Sequence, residues 1–257
     1  MQKPSRNILR KMGLLSDQQG IMNRYLVEGK NWRSHLDNTK NFIRNCFPSD
    51  PSATVAILGS GWMLDIPAGF LLQHFREVNF YDINHPPLVM KQYDSFRNAN
   101  FHERDLTGGL LEKVYKLCSS RGKKDQTTLP DEIRMDAKQK LFEGDYIFSV
   151  NLLNQLDILI MDYLKKFYTL DEVRINILRN LIQKHHLEML PQGRSGLITD
   201  FEEIHLDGHG LEKERLSLIH CDLPLAEKEE RWFWEFDTRK TYHARWKTRM
   251  NVLAIKF

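Results

Sequence analysis

Short apolar runs alternate along this chain with stretches whose apolar positions recur at helical spacing. Thr54-Val-Ala-Ile-Leu58 is a compact run with β-branched residues, the pattern of a strand buried on both faces. From Trp62 to Phe75, Met63, Ile66, Phe70 and Leu71 fall on one side, which predicts a helix. Val78 to Asp82 predicts a second strand and Leu88 to Phe96 a helical stretch. Asn100-Phe-His predicts a third strand ending near Asp105. Strand, helix, strand, helix, strand in this order predicts a right-handed parallel α/β sheet.

The pattern continues with a fourth strand at Asp145 to Val150. A helical tract over 155–190 follows, parted near Thr169-Leu-Asp171, with Asp171 as the second helix's N-cap. Gly196 to Asp200 predicts a fifth strand. Residues 205–228 mix Gly, Asp, His and Pro, and no element is assigned there. Trp232 to Phe236 and Met250 to Phe257 read as strands. About a dozen residues separate them, too few for a helical crossover, so they are expected to pair antiparallel. Residues 116–140 are polar and read as a helix end, an exposed loop and a short helix. Upstream, residues 1–50 read as helix, turn, helix, closed by Pro48-Ser-Asp-Pro51. A helical cap over 1–50 and an α/β domain over 51–257 follow from that break.

Composition narrows the class without changing this outline. The 257 residues are 41% hydrophobic and 28% charged, an ordinary globular composition that excludes collagen-like, low-complexity and wholly disordered chains. A net charge of +3 is a weak argument for a polyanionic partner. Cys46, Cys118 and Cys221 lie far apart with no CxxC pair, so reduced thiols are expected. The basic start lacks a long apolar stretch behind it and does not read as a signal peptide. The most apolar later stretch, Leu152 to Leu164, is broken by Asn154, Gln155, Asp157 and Asp162, short of the ~20 apolar residues of a spanning helix. The expectation is a cytoplasmic protein with no membrane partner.

Candidate chemistry sits at the strand ends. In an open parallel sheet, ligands bind beyond the carboxyl ends of the strands, where the strand order reverses. Gly59-Ser60-Gly61 follows the first strand, and its glycines allow a sharp turn and a close approach of backbone to ligand. The helix expected from Trp62 would point free amide groups at that ligand. Asp82 ends the second strand, about 23 residues after Gly59 and near the roughly 20 expected of a ribose-binding acid. Its carboxylate can accept hydrogen bonds from both ribose hydroxyls. Asp105 lies just beyond the third strand. Together these imply an adenosine-containing ligand.

The order ILGSG, FYDIN, FHERDLTG, DYIFSVNLLNQL, GLITDFEE resembles the class I S-adenosylmethionine-dependent methyltransferases over about residues 53–257, and in particular an uncharacterised bacterial methyltransferase-like subgroup. The resemblance implies a Rossmann-like sheet, mostly parallel, with a closing antiparallel strand pair. It further implies that Gly59, Ser60 and Gly61 hold the methionine part of the cofactor. Asp82, with Ile83 beside it, would bind the ribose; Asp105 and Leu106 would lie by the adenine; Ser149, Val150 and Asn151 would pass the methyl group. Two positions depart from the family pattern: Ile57 stands where an acid is usual, and Met63 where a third glycine is usual. These motivate the alternative of a methyltransferase-like protein that binds cofactor without turnover. A nicotinamide-dinucleotide domain is the other alternative, weakened because Leu64 occupies the last glycine position of GxGxxG.

Methyl transfer from a sulfonium can be catalysed largely by positioning, with a general base where the acceptor is a hydroxyl or ammonium. The run Asn151-Leu-Leu-Asn154 lacks the Pro-Pro-aromatic sequence typical of base-amino methylation, and Cys221 lacks an adjacent Pro for ring-carbon methylation. Asp200, Glu203 and His205 are the candidate bases. His205 and His209 are four apart, a metal-binding spacing on a helix, but Gly208 and Gly210 flank His209, so a polar loop over the site and no metal are expected. The tandem His185-His186 reads as a surface helix end. Trp232 and Trp234 share a strand face and read as packing residues. Arg24, Tyr25, Trp32 and His35 combine basic and aromatic groups on the N-terminal helices and read as acceptor-binding residues on a lid. Removing residues 1–45 is then expected to spoil activity more than fold. The acceptor is unidentified, with a small molecule favoured over RNA: basic residues such as Arg239, Lys240 and Arg245 lie outside any recognised RNA-binding module.

Overall fold

The computed structural model describes residues 4–120, 133 and 142–257. Two helices open the chain, α1 (Arg6–Lys11) and α2 (Leu14–Cys46). There follow β1 (Asp50–Leu58), α3 (Ala68–His74), β2 (Phe75–Asp82), α4 (Pro87–Gln92), β3 (Ala99–Glu103) and α5 (Leu110–Ser120). Then come β4 (Tyr146–Val150), α6 (Gln155–Leu164), α7 (Glu172–Glu188), β5 (Ser195–Leu206), β6 (Glu212–Ser217), β7 (Lys228–Asp237) and β8 (Lys247–Lys256). The exposed loop and short helix expected within 121–140 fall outside the described residues, apart from Ile133.

The sheet runs β3-β2-β1-β4-β5-β8-β7, with β6 paired to β5 outside that path. β1 through β5 pair in parallel, while β8 lies antiparallel to both β5 and β7. Strand order therefore reverses between β1 and β4, which opens a crevice at their carboxyl ends. Side chains of β1 alternate between two apolar layers. Ala56 and Leu58 face α5, α6 and α7; Val55 and Ile57 face α2 and α3, in the layer that also holds Trp234 and Phe236 of β7. All four are wholly buried, and each large side chain among them contributes about 1.5–3 kcal/mol. Burial on both faces explains why β1 reads as a continuous apolar run rather than an alternating one.

Several elements differ from expectation. The helix expected from Trp62 starts at Ala68 instead. Met63 adopts a left-handed φ of 57° and Pro67 precedes the first helical residue, so 61–67 form a loop, and the amide-rich helix start expected at Trp62 is absent. β5 runs past Asp200 to Leu206 and turns into β6. The loop expected around His205 and His209 is therefore a strand and a tight turn. Asp207 builds that turn, its carboxylate accepting the amide hydrogens of His209 (2.8 Å) and Leu211 (3.0 Å). His186 is fully buried, its Nε2 2.8 Å from Ser149 Oγ, not on the surface. The 33-residue α2 is fastened to β7: the Trp32 indole N–H donates to the Phe236 carbonyl (2.9 Å). Buried Glu28 accepts from the amides of Thr238 (3.0 Å) and Arg239 (3.1 Å). Trp32, Phe42 and Ile43 join the apolar layer of β1 and β7, so this helix is part of the core as well as a cover.

Candidate functional site

A cavity of about 430 Å³ lies at the β1/β4 reversal, floored by the strand ends and roofed by α2 and the turn after β7. Gly59 and Gly61 shape its floor with φ of 85° and 33°. A side chain at Gly59 would meet the Val150 carbonyl oxygen at 2.5 Å, so only glycine lets this loop press against β4. The Gly59 amide donates to the Tyr81 carbonyl at 2.9 Å, and the turn is closed by Met63 N–H to the Ser60 carbonyl at 2.7 Å. Met63 thus keeps the left-handed conformation at the position where a third glycine was expected, at a cost of about 1–2 kcal/mol.

Acidic groups converge on this floor. Asp82 accepts the Gly61 amide hydrogen at 2.8 Å, which ties the end of β2 to the glycine loop. Burial pushes its carboxyl up to about 6, against which the amide hydrogen bonds pull only partly. Asp105 accepts from the amide and hydroxyl of Thr107 (2.8 and 2.6 Å) with one oxygen, while its other oxygen is buried with no hydrogen-bond partner among the described residues. Burial raises its pKa also. Asp65 lies across from Asn151, whose amide N–H donates to it at 2.6 Å, and burial raises the Asp65 pKa as well. Asn151 itself holds a left-handed φ of 46°.

Beyond this floor lies a compartment under α2. Buried Asp200 accepts from the Asn154 side-chain amide at 2.7 Å, and burial pushes its carboxyl up to about 6. Glu203 joins it on the wall. The Arg24 guanidinium lies between the rings of Phe236 (4.6 Å) and Tyr242 (5.0 Å). His35 stacks on Trp234 at 4.0 Å, accepts the Trp232 indole N–H at 3.1 Å, and is held neutral by burial, its pKa lowered to about 3. Gln18 of α2 closes the mouth: its side-chain amide N–H donates to the Asn84 carbonyl (2.7 Å), and its backbone carbonyl accepts the Trp62 indole N–H (2.6 Å).

Of the residues singled out from sequence, Gly59, Ser60, Gly61, Asp82, Ile83, Asp105, Leu106 and Asn151 line the cavity floor, and Asp200, Glu203, Arg24, Trp32 and His35 line the remainder. Three stand elsewhere. Ser149 turns to the opposite sheet face and bonds His186, as strand alternation requires of a neighbour of Val150. His205 backs Glu203 from outside, with its Nε2 2.7 Å from that carboxylate and its Nδ1 2.9 Å from Glu214. Burial lowers the His205 pKa, but the two carboxylates outweigh it and the net shift is upward. Tyr25 packs on Trp32, 5.9 Å between ring centroids, behind the cavity wall. Sequence reasoning overlooked Asn154, Gln18 and Tyr242 as site residues. Asn154 carried a signal, a polar residue four positions past the end of β4 and immediately before α6. Tyr242 carried none, because its place depends on Asp237 accepting its amide hydrogen at 2.6 Å in the turn after β7.

No family model matches this sequence, and no curated protein matches it. Among solved structures, the chain is similar to the Burkholderia thailandensis 1,6-didemethyltoxoflavin-N1-methyltransferase bound to S-adenosylhomocysteine, at 12% identity and TM-score 0.42, covering 100% of this chain and 93% of that one. It is also similar to a DhpI–SAH complex at 9% identity and TM-score 0.42, covering 98% of each chain. A third similarity is to the N-methyltransferase NodS of Bradyrhizobium japonicum WM9 with S-adenosyl-L-homocysteine, at 10% identity and TM-score 0.37, covering 86% of each. The fold is read from the strands themselves: a Rossmann-like order β3-β2-β1-β4-β5 closed by antiparallel β8 and β7, the sheet of class I methyltransferases.

Proposed function

We propose that this chain is a methyltransferase that binds S-adenosylmethionine in the β1/β4 crevice and passes its methyl group to a small-molecule acceptor held under α2. One observation carries the reading: a glycine bend, the Asp82 carboxylate and a buried unpartnered Asp105 oxygen meet at the carboxyl ends of three adjacent parallel strands. Gly59 and Gly61 would admit the amino-acid part against bare backbone. Asp82 would accept the ribose hydroxyls, and the unpartnered Asp105 oxygen suits the exocyclic amine of an adenine. When bound, the cofactor supplies a methyl group on a positively charged sulfur, an electrophile that needs no further activation.

The chain's own residues then orient and hold. Asn151 and Asp65 fix the wall beside β4, the Gln18 strap excludes water from the mouth, and Asp200 is the candidate group to take a proton from the acceptor. With a pKa of about 6, Asp200 is ionised at neutral pH yet close enough to accept a proton efficiently. Asp17, Asp162, Asp200 and Glu203 on the cavity wall oppose a polyanion, which favours a small molecule over RNA. Calorimetry with S-adenosylhomocysteine on the full chain is expected to show binding, with Asp82→Ala lowering affinity by roughly 10- to 100-fold while the far-UV spectrum is kept. Undetectable binding to the wild-type chain would sink the reading. Cofactor binding with no transfer to any acceptor would favour the non-catalytic alternative.

A further inference from the structure

We propose that the acceptor is an amine, bound as its ammonium ion in the compartment where Asp200, Asn154 and Glu203 face Tyr242 and Phe236. The inference rests on the methyltransferase reading and adds the substrate class. Its first support is the pair of unsatisfied acceptors at Asp200 and Asn154, set apart from Arg24 Nε and Trp234 Nε1 of the aromatic wall, donors unpaired among the described residues. Asp200 and Asn154 are 6% and 3% exposed, and the bond between them uses one carboxylate oxygen and the amide N–H. That leaves Asp200 Oδ1 and Asn154 Oδ1 buried without partners among the described residues, two acceptors on the cavity wall. A buried acceptor left unmade is costly, so the ligand of this corner must bring N–H or O–H donors. An ammonium brings up to three; a carboxylate or phosphate brings none.

Charge is the second support. Asp200 and Glu203 lie on the inner wall and Asp17 and Asp162 on the rim, and the cavity's carboxylates outnumber its two lining guanidinium groups, Arg24 and Arg104. An acceptor that had to become an alkoxide or phenolate would develop negative charge among carboxylates. An ammonium instead enters with the opposite charge and becomes nucleophilic once Asp200 has taken one proton. In the overall step, the nitrogen lone pair bonds the methyl carbon, the carbon–sulfur pair stays on the sulfur of the sulfonium donor, and the released proton resides on Asp200. The opposite wall is aromatic, with Arg24 seated over the Phe236 and Tyr242 rings and His35 stacked on Trp234, so it bounds the compartment while the carboxylate side takes the charge. Glu28 and Asp237 hold the turn that carries Tyr242 in place by accepting its backbone amides.

The test is calorimetry on the full chain loaded with S-adenosylhomocysteine, at slightly alkaline pH, with three isosteric probes: benzylamine, benzyl alcohol and benzoate. Benzylamine is expected to bind roughly ten- to a hundred-fold more tightly than the other two. Asp200→Asn and Glu203→Gln should each remove most of that preference while S-adenosylhomocysteine still binds. Equal or better binding of benzyl alcohol or benzoate, or no binding of benzylamine to the loaded protein, overturns the amine assignment and leaves the methyltransferase reading standing. Failure of S-adenosylhomocysteine itself to bind overturns both. The wild-type comparison needs no variant, so a misfolded substitution does not blunt it.

Discussion

Gly59 shows how one backbone angle governs the whole floor of the crevice. Its φ of 85° and the 2.5 Å approach that a side chain would make to the Val150 carbonyl leave no room for another residue. Gly59→Ala is expected to lose about 2–4 kcal/mol in urea unfolding and to weaken S-adenosylhomocysteine binding together, because relief requires moving the loop off β4. Unchanged unfolding in that variant would mean that the loop accommodates a side chain at position 59. Met63 carries the converse lesson. The sequence places a bulky residue at a position expected to be glycine, and the left-handed turn persists because its side chain is buried in the core against that strain. The departure at Ile57 is likewise absorbed by the core, where Ile57 is wholly buried.

At the level of elements, α2 combines two roles that substitutions can separate. Its middle is core: Trp32 is almost wholly buried, edge-on to Trp234 at 4.9 Å and bonded to Phe236. Its start is a strap, with Gln18 bridging to Asn84 and Trp62. Trp32→Ala is expected to lose about 3–5 kcal/mol of stability by denaturant titration. Gln18→Ala should leave the melting temperature nearly unchanged yet weaken S-adenosylhomocysteine binding several-fold, since it removes the two side-chain bonds to Asn84 across the mouth and keeps the backbone bond from Trp62. Equal stability losses in the two variants would deny the division. Removing residues 1–45 outright would strip Trp32, Phe42 and Ile43 from the apolar layer, so the expectation that activity suffers more than fold gives way to these point variants.

Across the whole molecule, the crevice is maintained at a cost in charge burial that pH can reveal. Asp82 and Asp200 both rise from 3.8 to about 6 on folding, chiefly through burial. Between pH 4 and 6 the folded chain therefore holds more protons than the unfolded chain, so these groups lower stability as pH rises through that window. Asp200→Asn mimics the protonated acid and keeps an oxygen to accept from Asn154. Its melting temperature should exceed wild type by several degrees above pH 6, corresponding to up to about 3 kcal/mol, and approach wild type below pH 4. A difference independent of pH, or one that grows on acidification, would show that Asp200 is not buried in its charged form.

Along the chain, the central strands were legible because burial on both faces leaves continuous apolar runs that need no partner to be recognised. Asp171 was legible as an N-cap for a similar reason, since its carboxylate accepts the Arg174 amide three residues on, a strictly local bond. The glycine bend and the acids at the ends of β2 and β3 followed from position alone. The exposed strand β6 had no apolar pattern to betray it, only the Asp-Gly turn residues before it. Tertiary structure alone decided that Ser149 and His186 meet inside the core, that His205 backs Glu203 rather than entering the cavity, and that Tyr242 closes the compartment. Each of those outcomes depends on strand register and on contacts between residues far apart in sequence, which no local pattern encodes.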